Sequence, residues 1–246
     1  MTATNLIEKY IENFESLFEP HVEFKLKIDF CEVSSPVIRG KDSDMKILIP
    51  KMYEDVEFED HAKELMLLFI LAHETAHYIN KLTHHKDTSV LDSRAIEIWA
   101  DFFGCKLLLT VCFYCDFFIN RYQMRTNLSV FFDNYYNGLN NMFDTYYNKE
   151  HKKYPSKHLR YQVGHTATTS FLTILDNGNL CSSKIILATS TFAKLKTTAN
   201  VTDKEFRELI SYIFNIKHIH KQILGGNTEI TYGVKPEYKK YIGTDY

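Results

Sequence analysis

Hydrophobic and polar positions along the chain change period several times, and each change marks an element. Leu6, Ile7, Tyr10, Ile11, Phe14, Leu17 and Phe18 recur at helical spacing over residues 4–18, and Pro20 closes that run. From Val22 the pattern becomes strict alternation, with Val22, Phe24, Leu26, Ile28 and Phe30 set against Glu23, Lys25, Lys27 and Asp29. This predicts a half-buried strand. SSPVIRGKDSD then reads as a turn and MKILIP, residues 45–50, as a second strand ended by Pro50. The two strands predict a small antiparallel sheet, whose edge could take an extended peptide as an added strand.

Beyond the sheet the chain turns helical. Residues 60–82 contain the run LMLLFILAHETAHYI, with no Pro or Gly from His61 to Leu82, and THHKDTS at 83–89 breaks the helix. A second helix is predicted to start near Ser89 or Asp92 and to run to about Leu109 or beyond. Residues 111–145 carry one or two more helices, and 148–157 form a polar, basic linker. KHLRYQVGHTATTSFLTIL is another helix, and DNGN at 176–179 is a turn. Residues 203–224 repeat the helical stripe through Phe206, Leu209, Ile210, Ile213, Phe214, Ile216 and Ile219, with Gly225 and Gly226 at its exit. The tail from Asn227 is polar and aromatic, and there is no internal repeat.

Composition fits this picture. Apolar residues make up 45% and charged residues 24% of 246 positions, as in ordinary globular proteins, while 18 Phe and 16 Tyr outnumber 9 Gly and 5 Pro. The expectation is an α+β, mainly α fold in one domain over 1–246. An N-terminal helix and strands occupy 1–58, a pair of motif helices 59–125, and a mainly helical C-terminal part 126–246. A net charge of −2 offers no electrostatic footprint for nucleic acid. Apolar runs are too short for a membrane span, the first residues lack a signal-peptide pattern, and five Cys form no disulfide-like framework, which together predict a cytoplasmic protein. Cys112 and Cys115, spaced C-x-x-C without a second pair, read as a buried helical face rather than a redox or zinc site.

The candidate chemistry lies in HETAH. His73 and His77 stand four apart on one helical face, so both imidazoles can meet one ion with Glu74 beside them. EIWAD adds Glu97, twenty positions after His77, and Asp101 one turn later. Two His and a carboxylate are the three protein ligands of a zinc hydrolase, which predicts one Zn²⁺ per chain held by His73, His77 and Glu97. Glu74 would act as general base, taking a proton from water and returning it to the leaving amine of a cleaved peptide bond. Asp101 would accept the free ring N–H of a ligand histidine, His73 for preference. His84 and His85 read as loop residues. A donor to the developing oxyanion is sought in YPSKHLRYQVGH, with His158 and Arg160 first, Tyr154 next, and Tyr161 and His165 as further candidates. Two other readings stay open: a sensor or binding protein that uses the metal without hydrolysis, and a metallohydrolase acting on something other than peptides.

HETAH followed by EIWAD resembles the gluzincin metallopeptidases, in which H-E-x-x-H is followed about twenty residues on by Glu-x-x-x-Asp. The flanks in SRAIEIWADFFGCKLLL look like those of the cytosolic Lit-type phage-exclusion peptidases, and they are also similar to the immunity-repressor-cleaving peptidases of mobile elements. YPSKHLR stands where a Lit-like chain would carry His-Pro and then Arg, with Tyr154 at the His position. The likeness spans about residues 62–110 with an extension to Arg160. It implies a zincin-like core, His73, His77 and Glu97 as zinc ligands, Glu74 as general base, Asp101 behind the ligands, and a specific protein substrate.

Overall fold

The structure, a computed structural model, describes residues 1–22, 25–40, 44–82, 93–147, 154–195, 202–224 and 233–242. Its elements run α1 (Ala3–Glu15), β1 (Ile28–Cys31), β2 (Val37–Arg39), β3 (Lys46–Pro50), a 3₁₀ turn (Lys51–Tyr53), α2 (His61–Leu82), α3 (Ser93–Tyr114), α4 (Asp116–Arg121), α5 (Leu128–Tyr146), α6 (Lys157–Leu175), α7 (Ser183–Lys194), α8 (Asp203–Leu224) and α9 (Pro236–Ile242). The fold is mainly helical, with one small sheet.

That sheet is mixed, which corrects the antiparallel expectation. Its order is β1-β3-β2, β1 pairing in parallel with β3 and β2 antiparallel to it. The chain does not reverse directly from the first strand to the second. It passes through residues 32–36 and lays Val37–Arg39, read above as turn, along Lys46–Leu48. The reversal comes one residue later, at Gly40, whose φ is +95° and whose Cβ would sit 2.4 Å from the Asp44 carbonyl oxygen, so only glycine fits. The long alternating run also shrinks. Among the described residues the strand covers only Ile28–Cys31, paired with Ile47–Pro50, and Lys25–Lys27 lie before it, although the Lys27 carbonyl still accepts from the Ile47 nitrogen.

Helix α2 is the axis of the molecule. Every residue from Leu67 to Ala76 is buried, so the helix has no solvent face over that stretch and must be covered on all sides. Helices α1, α3 and α5 and the strands β2 and β3 supply the cover. On one side α5 comes close enough that a Cβ on Gly138 would lie 2.8 Å from the Ala62 carbonyl oxygen. On another, the Tyr10 hydroxyl of α1 donates to Thr75 Oγ1 at 3.1 Å, which anchors the N-terminal helix to the middle of HETAH. At the start of α2 the buried Glu64 accepts from Arg121 Nη2 at 2.5 Å, and this pair ties α4 to the first turn.

Other expectations meet the structure unevenly. The first helix ends at Glu15 rather than Phe18, and the segment 111–145 holds the end of α3, then α4 and most of α5. Residues 157–175 and 203–224 are helices as predicted, and Gly178 with φ +85° closes the turn at 176–179. Helices α7 and α9 were not predicted. Cys112 and Cys115 are buried free thiols, the latter at the junction of α3 and α4. Among the described residues no helix is long and apolar enough to cross a membrane. The expected helix starts at Ser89 or Asp92, the loop histidines His84 and His85, and most of the polar linker lie outside the described residues.

Candidate metal centre

Helices α2 and α3 run side by side, and each contributes one face to the centre. His73, Glu74 and His77 come from α2, Glu97 and Asp101 from α3, the latter two separated by one turn and so stacked on one side. Close approach is possible because α3 carries Gly104 where it passes Ala72 and His73. His73 Nε2 lies 3.0 Å from His77 Nε2 and 3.6 Å from Glu97 Oε2, and His77 Nε2 lies 3.4 Å from Glu97 Oε1. Donors bound tetrahedrally to zinc at its usual bond lengths stand about 3.3 Å apart, and one ligand atom from each of the three side chains lies within 4.8 Å of the others, so the group could hold such an ion.

Behind the donors lies a second layer of charge. His73 Nδ1 is 2.9 Å from Asp101 Oδ1, although the oxygen sits off the line of the ring N–H. This contact favours the proton on Nδ1 and leaves the Nε2 lone pair for a cation. The buried Arg160 of α6 donates from Nε to Asp101 Oδ2 at 2.7 Å and from Nη2 to Asp101 Oδ1 at 2.8 Å, and Nη2 also lies 3.3 Å from Glu97 Oε2.

The charges set one another's protonation. Burial opposes ionisation of Glu97, but His77, His73 and Arg160 outweigh it and hold the carboxyl down at about 2. Burial likewise works against the Asp101 carboxylate, and Arg160 and His73 reverse the balance and lower its pKa. Burial opposes charging His77, yet the Glu97 carboxylate raises its pKa. These directions belong to the metal-free centre, since a metal ligand must present a neutral imidazole.

The centre opens on a cavity of about 610 Å³. His73, Glu74, His77, Glu97 and Arg160 line its floor, Ser35 to Ile38 with the edge strand β2 form one wall, and Tyr146, Tyr147 and Tyr154 form another. The Tyr147 hydroxyl reaches to 3.5 Å from Glu74 Oε1, at the outer limit of a hydrogen bond, and its ring lies 4.0 Å over the Arg160 guanidinium. Burial first, and then Glu74, raise the Tyr147 pKa far above that of a free phenol, so its proton stays on.

The residues proposed from sequence divide accordingly. His73, Glu74, His77, Glu97 and Asp101 come together. Arg160 also arrives, but its guanidinium is spent on Asp101 and Glu97 rather than free to meet a substrate oxyanion. Tyr154 lines the cavity with its side chain 46% exposed, while its carbonyl accepts from Arg94 Nη1 at 3.0 Å. His158 is not among the cavity-lining residues and lies near Glu205 of α8. Tyr161 and His165 stack on Phe192 of α7, away from the cavity. Sequence reading missed Tyr146 and Tyr147, the latter 73 positions after Glu74, which carry no spacing signal. It also missed the wall formed by β2.

Comparison with protein-family models, curated proteins and solved structures finds no match.

Proposed function

We propose that the chain is a zinc-dependent endopeptidase with a zincin-like core, cleaving a specific protein substrate in the cytoplasm. The observation that carries this reading is the meeting of His73, His77 and Glu97, their ligand atoms within 4.8 Å of one another, in a cavity that Glu74 also lines. Zinc held there would supply a Lewis acid and a water of lowered pKa. Glu74, beside the donors in the cavity lining, would be the general base that takes a proton from water and returns it to the leaving amine. Tyr147, a neutral phenol at the same cavity, donates to the oxygen on which negative charge develops, the part that sequence reading sought in His158 and Arg160. Asp101 keeps His73 in the tautomer that binds a cation. The edge strand β2 lines the cavity beside the donors, where an extended peptide could run alongside it.

The likeness of HETAH and EIWAD to gluzincins supports peptide hydrolysis over other amide chemistry, and the flanks support a role in phage defence or mobile-element regulation. The test pairs elemental analysis of wild type and Glu97→Ala with digestion of a host cytosolic extract by wild type and Glu74→Gln. About one zinc per chain, lost in Glu97→Ala, together with a few protein bands cleaved by wild type alone, supports the reading. Zinc retained with identical extracts for wild type and Glu74→Gln would favour a binding protein. Absence of zinc from carefully prepared wild type would remove the metal centre.

A further inference from the structure

We propose that Arg160 is a positioning residue of the metal centre, which holds Glu97 and Asp101 in place before an ion arrives. The inference rests on the metal-site reading above. Glu97 and Asp101 are like charges one helical turn apart, a pairing that repels on any helix and more so where Asp101 is buried and Glu97 partly so. Arg160 resolves this repulsion. Its planar fork bridges the two carboxylates from a different helix, and the rings of Tyr147 and Phe143 pack against it with centroids 4.0 and 5.2 Å from the guanidinium carbon. A guanidinium so enclosed cannot swing toward a substrate without giving up both hydrogen bonds to Asp101.

Electrostatics and positioning predict opposite effects of removing Arg160. If Arg160 acted through charge alone, its loss would tighten binding of a cation, because a positive neighbour is gone. If it acts by positioning, its loss weakens binding, because Glu97 and the Asp101 support of His73 lose their anchor.

The experiment is competition for Zn²⁺ against a chromophoric chelator, using the full chain as wild type, Glu97→Gln, Arg160→Met and Arg160→Lys, with circular dichroism of each zinc-free protein. Positioning predicts a Kd raised about 10- to 100-fold in both Arg160 variants, since Lys keeps the charge but not the fork. A tighter Kd in Arg160→Met with an unchanged one in Arg160→Lys would overturn the proposal in favour of bare electrostatics, as would unchanged values in both. If Arg160→Met does not fold, Arg160→Lys decides. A readout without mutation also exists: in zinc-free wild type the Arg160 Nε–H should resist solvent exchange, and free exchange would show that the clamp is absent. Wild type binding zinc no better than Glu97→Gln would bring down the metal reading itself, whereas tight wild-type binding with indifferent Arg160 variants would bring down this inference alone.

Discussion

Gly104 passes so close to His73 that a Cβ there would lie 3.1 Å from the His73 nitrogen and 3.0 Å from the Ala72 carbonyl carbon and oxygen. The atoms it would meet are backbone, which cannot turn aside. The position thus sets how closely α3 carries Glu97 and Asp101 to the histidines of α2. Gly104→Ala should lose about 1–2 kcal/mol, the overpacking penalty exceeding the gain in helix propensity. It should also weaken zinc binding, whereas Gly178→Ala, far from the centre, should leave zinc binding alone. Thermal unfolding and chelator competition on the two variants check both parts.

Asp101 serves two partners at once. Asp101→Asn keeps the shape but leaves the Arg160 guanidinium buried beside a neutral amide and removes the charge that favours the Nδ1–H tautomer of His73. Stability should fall by about 3 kcal/mol, near the cost of unpairing a buried ion. Zinc affinity should fall by about 10- to 100-fold. Denaturant unfolding with and without a chelator separates the two losses.

Tyr147→Phe removes one oxygen from the cavity and keeps the ring over Arg160. A donor that acts on the developing oxyanion lowers kcat by about 10- to 1000-fold when removed, with KM little changed. Zinc content should stay at the wild-type level. Equal kcat in the variant would show that the hydroxyl is not used.

The centre was more legible in the sequence than its surroundings. His73, Glu74 and His77 are fixed by helical spacing alone, and Glu97 with Asp101 by a second helical spacing at a set distance along the chain. Both are local patterns that a periodic backbone converts directly into geometry. Tyr147 and the capture of Arg160 are not local. They depend on where α5 and α6 cross the motif helices, which packing decides through positions such as Gly138 and Gly164, and no spacing encodes that. The sheet shows the same limit. Alternation named residues of β1 and β3 correctly, but parallel pairing and the recruitment of Val37–Arg39 follow from the path of residues 32–36. Helix α7 escaped notice although Ser182 caps it by accepting from the Ile185 nitrogen, because the serine, threonine and lysine residues in SKIILATSTFAK blur the apolar stripe.

His165 makes stability depend on pH. It is stacked 3.9 Å from Phe192, with Nδ1 2.8 Å from the Tyr136 hydroxyl, and burial pushes its pKa down to about 4. An unfolded histidine titrates near 6.5. Between those values the unfolded chain takes up a proton that the folded chain refuses. The contribution is therefore fully present above pH ~6.5 and is lost as pH falls toward 4. Because the side chain is only half-buried, the loss should be about 1–2 kcal/mol rather than the full linkage value. Urea unfolding at pH 7.5 and 4.5 should show wild type losing that much more than His165→Gln.

Lys106 lies within the apolar core on α3, fully buried, and burial pushes its pKa down to about 7. Its Nζ stands 5.8 Å over the Phe102 ring. In the unfolded chain the amine titrates near 10.4. Above that pH both states are neutral and burial costs nothing extra. As pH falls from ~10 to ~7 the unfolded state gains a proton that the folded state resists, so stability declines through this window and levels off below it. Lys106→Met keeps the length of the side chain without the charge. It should stabilise the protein by about 2 kcal/mol at pH 7 and by much less at pH 10, an advantage that shrinks as alkali neutralises the wild-type lysine in both states. Equal gains at the two pH values would mean that packing, not charge, limits this position, and a loss at pH 7 would mean that the core depends on the amine.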